Sequence, residues 1–109
     1  DPLIELKQII LKNLPLKSLE RVVIFGSIST HTEKPNSDID VFILVKTSNQ
    51  LADIEHSIEK VSGKCLEFFG NRLSPYILTE KQLKQKKSSE IMSEVNKGIE
   101  IYPYKKVKR

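Results

Sequence analysis

Apolar residues recur along this chain with two different periods, and the alternation between them predicts the order of its elements. Leu3, Leu6, Ile10 and Leu14, with Ile9 beside them, fall at helical spacing. Pro2 suits a first helical turn and Pro15 ends the pattern, so a helix is expected over 3–14. Residues 21–25 and 38–46 are short, β-branched apolar runs and read as strands. The second is almost wholly apolar after Asp40, as in a central strand covered on both faces. Leu51, Ile54, Ile58, Val61, Cys65 and Phe68 then step by three and four, which predicts an amphipathic helix over 50–69. Gly63 is its weak point, at a cost of about 1 kcal/mol relative to Ala, and Gly70-Asn71 offers a C-terminal cap. A third strand is expected over 72–78, where Pro75 lacks an N–H and marks an edge or the start of the paired segment. Thr79 with Gln82 has the form of a capping box opening a last helix over 80–97, whose apolar positions are Leu83, Ile91 and Val95. Gly98 ends that helix, and residues 99–102 add a short strand.

This order predicts an α/β fold: a small mixed β-sheet of three to four strands with helices packed mainly on one face. At 109 residues the chain is expected to be a single domain over 1–109, with 103–109 as a basic tail. Residues 105–109 hold four of the 18 basic residues and no acid, so the net charge of +4 belongs to the tail and the rest sums to about zero. That distribution argues against a basic face for nucleic acid, although Lys81, Lys84, Lys86 and Lys87 crowd one stretch. No apolar run approaches the roughly 20 residues of a membrane span, and no signal peptide is visible, so a cytoplasmic location is expected. A single cysteine, Cys65, excludes an internal disulfide and reads as core. One Cys and two separated His residues assemble no zinc site. The absence of an initiating Met is what a processed chain, or a piece of a longer protein, would show.

The chemistry gathers where the first two strands meet. The run 22–25 stops at Gly26-Ser27; ten residues later Asp38 and Asp40 open the second run. Side chains alternate along a strand, so the two acids point the same way, about 7 Å apart. Two neighbouring carboxylates repel, and burial raises the cost of ionising both. A divalent cation removes that penalty, and Mg²⁺ favours carboxylate oxygens together with substrate phosphates. Gly26 permits a tight turn and close backbone approach. Ser27 brings a hydroxyl and an N–H to the start of an expected short helix over 27–30, where phosphate binds well. Residues 31–37 read as a loop turning at Pro35-Asn36. His31 in it is read as a surface histidine, with contact to a nucleotide phosphate as the alternative. His56 falls on the polar side of its helix.

Gly26-Ser27, ten residues, then Asp38-Ile39-Asp40, between apolar strands and with Ser37 preceding, resembles the signature of the minimal nucleotidyltransferases of the DNA polymerase beta superfamily. The resemblance extends over about residues 20–102. It implies a palm-like core and in-line attack of an acceptor hydroxyl on the α-phosphorus of a nucleoside triphosphate, passing AMP from ATP to the acceptor and releasing pyrophosphate. It implies Asp38 and Asp40 as catalytic residues and as ligands of Mg²⁺ or Mn²⁺, with Gly26 and Ser27 holding the distal phosphates. It also implies a third carboxylate near the start of the strand after the long helix. That position is Ser74 here, and Glu67, on the preceding helix, is the other candidate. The acceptor implied is often a protein partner such as a HEPN-domain protein of a toxin-antitoxin pair. A partner, a homodimer or a further domain is expected to cover so open a site. Two other readings stand beside transfer of AMP from ATP. One is a nucleotide-binding regulator of the same fold with weakened catalysis, favoured by Ser74 and the absent Met. The other is a nucleic-acid-binding module using residues 81–87 and the tail.

Overall fold

A computed structural model of the chain describes residues 2–26 and 37–103. Ser27, the expected helix over 27–30, His31, the turn at Pro35-Asn36 and the tail from residue 104 lie outside the described residues. Among the described residues the fold is α/β, with a four-stranded mixed sheet and four α-helices.

Helix α1 (Pro2–Asn13) presents Leu6 and Ile10 to the core and ends before Pro15. Strand β1 (Leu19–Phe25) starts two residues earlier than its apolar run suggests, because a bulge between Leu19 and Arg21 lets Leu19 turn inward as well as Val22. Strand β2 (Ile39–Val45) pairs antiparallel with β1, Phe25 opposite Asp40. Helix α2 (Leu51–Phe69) runs unbroken through Gly63 and stops at Gly70, whose φ of 70° provides the left-handed cap. Its inward stripe is Ile54, Ile58, Val61 and Cys65, and the next step is Phe69 rather than Phe68. Phe68 is 63% exposed: four residues, not three, separate the last two inward positions. Burial pushes the Cys65 thiol up to about 11, so it stays protonated.

Strand β3 (Leu73–Thr79) lies parallel to β2 and at the edge of the sheet, where the missing N–H of Pro75 costs no pairing. The sheet order is β3-β2-β1-β4. The last strand, β4 (Ile99–Tyr102), is antiparallel to β1. The Thr79 capping box forms as expected, with Gln82 N donating to Thr79 Oγ1 and Thr79 N to Gln82 Oε1.

The single last helix expected over 80–97 is instead two, α3 (Glu80–Lys86) and α4 (Glu90–Asn96). Ser89 is the reason: its backbone is extended, and its hydroxyl accepts from Met92 N and so starts α4 afresh. The break re-phases the helix. Met92 and Val95 turn inward, while Ile91, an expected core position, is 38% exposed.

The sheet has a core on each side. The long helices α1 and α2 cover one face, packing on Val22, Ile24, Val41, Ile43 and Val45. On the other face Val23, Phe25, Phe42, Leu44 and Leu78 meet Met92 and Val95, with Leu83 alongside. The weight of helix therefore lies on one face, and β2 is buried between both cores. No described helix is long and apolar enough to cross a membrane.

The re-phasing is testable. Met92→Ala is expected to cost about 2–4 kcal/mol of unfolding free energy. Ile91→Ala should change it by less than about 1 kcal/mol. Urea unfolding of the two variants, compared at equal m-value, measures both.

Candidate functional site

Strand alternation places Asp40 on the face opposite α1 and α2, two residues before the buried Phe42. In the register Asp40 lies between Phe25 of β1 and Ser74 of β3. Asp38 is exposed, one residue ahead of β2, and Asp40 is half-buried. Gly26 follows Phe25 at φ 76°. A Cβ on Gly26 would overlap Asp40 Oδ2 and lie 3.2 Å from its Cγ. The glycine is thus required twice, by its left-handed backbone and by the carboxylate lying against its Cα.

Asp40 has its carboxyl held above the ordinary range. Burial is the main cause, and the charge of Asp38 adds to it. Among the described residues neither acid forms an ion pair. Hard oxygen donors, one of them half-buried beside a like charge, fit a hard divalent cation such as Mg²⁺ or Mn²⁺. Among the described residues no group of three or more His, Cys, Asp or Glu side chains is placed to hold a metal ion. Two carboxylates alone leave most of a six-coordinate shell to substrate oxygens and water.

The third position is divided between two residues by the fold. Ser74 is half-buried and pairs in register with Asp40. Glu67 is exposed on α2, the helix that covers the opposite face. Ser27 lies outside the described residues.

Two residues with no role assigned from sequence also belong to this end of the sheet. Asn71 Nδ2 donates to Ser37 O at 2.8 Å, and Ile39 N donates to Arg72 O at 2.7 Å. These bonds tie the start of β2 to the turn that follows α2. Asp38, Leu66, Gly70, Asn71 and Arg72 line a cleft of about 360 Å³ there. A glycine cap followed by two polar residues before a strand was the available signal, but it specifies a turn and not what the turn reaches. A second hollow, about 370 Å³, lies between α1 and α2 beside Phe68, away from the acids.

The nucleotidyltransferase domain family matches residues 3–101 of this chain. Solved structures share the fold, two of them toxin-antitoxin proteins. One is the toxin-antitoxin MntA-HpeT carrying two aspartate-to-glutamate substitutions, with TM-score 0.59 and 17% identity, over 94% of this chain and 73% of that one. The other is a toxin-antitoxin with AMP-PNP, with TM-score 0.56 and 21% identity, over 94% and 72%. A search of curated proteins by sequence finds no match.

Two measurements probe the geometry. Gly26→Ala is expected to destabilise by about 1–3 kcal/mol through its positive φ alone, with a further loss from displacing Asp40. In an Asp40→Ala background the second part should vanish, so a double-mutant cycle shows positive coupling. The pH dependence follows from the raised carboxyl. The folded chain holds the Asp40 proton more tightly than the unfolded chain does, so stability falls as pH rises from the ordinary carboxylate range through the raised value. In chelator, calorimetric Tm should drop across that window, and Asp40→Asn should flatten the drop and raise Tm at neutral pH.

Proposed function

We propose, because the chain belongs to the nucleotidyltransferase domain family, that it transfers a nucleoside monophosphate, AMP from ATP, to an acceptor hydroxyl on a partner protein. The observation that carries this reading is the Asp40 carboxylate lying against the Cα of Gly26, with Asp38 two residues before it. The acid therefore lies beside the bend that closes β1, which supports a metal-and-phosphate role for this end of the sheet. A toxin-antitoxin of the same fold crystallised with AMP-PNP supports the adenine nucleotide, and the toxin-antitoxin context of both solved neighbours supports a protein acceptor. A HEPN-domain protein is the acceptor class that the sequence signature suggests.

In this mechanism Asp38 and Asp40 would hold Mg²⁺ or Mn²⁺ through their carboxylate oxygens. The bound ion supplies charge neutralisation for the phosphates and the transition state. The distal phosphates would lie at the bend that Gly26 forms beside Asp40. The acceptor oxygen forms a bond to the α-phosphorus as the bond to the bridging oxygen of pyrophosphate breaks. The acceptor proton passes to solvent, and pyrophosphate leaves. Asp40, desolvated and next to Asp38, gains most from the cation, because ionising it alone is costly.

Ser74 favours a second reading, a nucleotide-binding regulator of this fold with weakened transfer, since a hydroxyl stands in register beside Asp40. The two readings separate in one assay. Incubation with labelled ATP, Mg²⁺ and a candidate HEPN-domain partner is expected to label the partner. Asp38→Asn with Asp40→Asn should reduce labelling by about a hundredfold or more. Labelling that survives both substitutions defeats the assignment of these acids. Mg²⁺-dependent ATP binding without product establishes the regulator instead.

A further inference from the structure

We propose that the acceptor carries an oxyanion close to its reacting hydroxyl, and that Arg72 positions it by binding that oxyanion on the β3 flank of the aspartates. This deepens the transfer reading and rests on it.

The sheet order sets the geometry. β2 lies between β1 and β3, so Asp38 and Asp40 have Gly26 on one side and Arg72 with Ser74 on the other. On the β1 side the Asp40 carboxylate fills the space beside Gly26, and the transfer reading puts the triphosphate at that bend. A triphosphate drawn to that bend leaves the β3 side for the acceptor. The cleft on that side, about 360 Å³, is at the small end of ligand clefts and suits an acceptor group better than a whole nucleotide.

Charge then selects the acceptor. Arg72 is exposed and lines the cleft together with Asp38, yet among the described residues it forms no ion pair. A guanidinium placed only to neutralise the acids would close on them through charge-assisted hydrogen bonds. Its backbone carbonyl accepts from Ile39 N and the neighbouring Asn71 donates to Ser37 O, so the main chain that carries Arg72 is anchored at the edge of the cleft. A divalent cation on Asp38 and Asp40 would satisfy both acids and leave the Arg72 charge available to an incoming anion. Ser74 is neutral and in register with Asp40, so this flank carries a positive charge and a hydroxyl where an acid would repel the same anion. A phosphate or a carboxylate meets these requirements, and Arg binds either through two parallel N–H donors.

The test uses the protein loaded with Mg²⁺ and α,β-methylene ATP, titrated calorimetrically with inorganic phosphate and, separately, with acetate. Saturable binding of at least one probe is expected. Arg72→Ala should weaken it about tenfold or more, and Arg72→Lys should restore part of it. Ser74→Asp should weaken it too. Affinity for the methylene analogue and Tm should be unchanged in Arg72→Ala. A preference for phosphate identifies a phosphorylated acceptor, and a preference for acetate a carboxylate-bearing one; each supports the proposal. Saturable binding of neither probe by the loaded parent overturns it. So does an Arg72→Ala variant that loses the analogue while keeping the probes, because the guanidinium then serves the triphosphate. A parent that fails to bind the analogue at all overturns the transfer reading itself, and this proposal with it.

Discussion

The contact between the Cα of Gly26 and the Asp40 carboxylate is the constraint on which the site depends. It exists because β1 and β2 pair with Phe25 opposite Asp40, so the chain leaving β1 bends directly across the acid. Any side chain at residue 26 would need the volume that Asp40 Oδ2 fills. The register cannot slip to relieve the crowding. A one-residue shift would turn Val41 and Ile43 out of one core and Phe42 and Leu44 out of the other. The two cores thus hold in place an acid that is unfavourable where it stands, desolvated and beside a like charge. Stability and chemistry oppose each other here, as they do at sites where binding relieves built-in cost.

The support around this contact is unequal on its two sides. Toward β1 the acid meets backbone of a buried strand. Toward β3 it meets an edge strand, and the start of β2 is fixed by the hydrogen bonds from Asn71 and to Arg72 O. Edge position matters for that flank. Among the described residues β3 has no strand beyond it, and Arg72 is exposed and Ser74 half-buried. The α2 cap at Gly70 delivers the chain to this edge, which joins the long helix mechanically to the acid pair through three consecutive residues.

Much of this was legible in the sequence. Strands and helices with a clean period and sharp punctuation, such as the residues before Pro15, the Asp40-led strand and the Thr79 capping box, emerge with boundaries close to those expected. The illegible parts share a cause. Between residues 80 and 97 apolar positions are sparse, so the pattern carries little phase, and one serine competing for a backbone N–H resets it. At the end of α2, adjacent phenylalanines satisfy the periodicity equally, and only packing distinguishes Phe69 from Phe68. The acid pair and Gly26 were readable because the requirement is local: alternation on one strand and a glycine at a strand end. Arg72 and Asn71 were not, because their significance lies in contacts across 33 and 34 residues of chain.

That distinction bears on what kind of residue can tune the site. Asp38, Asp40 and Gly26 are fixed by mutual geometry, and changing any one disturbs the others. Ser74 sits on the edge strand in register with Asp40, Arg72 immediately precedes that strand, and both lie outside both cores. Their side chains can change charge at small cost to folding, because exposed and half-buried edge positions lose little packing. The same backbone therefore admits an acid, a hydroxyl or a cation next to Asp40 and Asp38. The electrostatic sign of the β3 flank is set by side chains alone. Under the proposed transfer reading, such a fold holds its nucleotide side by backbone geometry and could exchange acceptors through Ser74 and Arg72 without rebuilding its sheet.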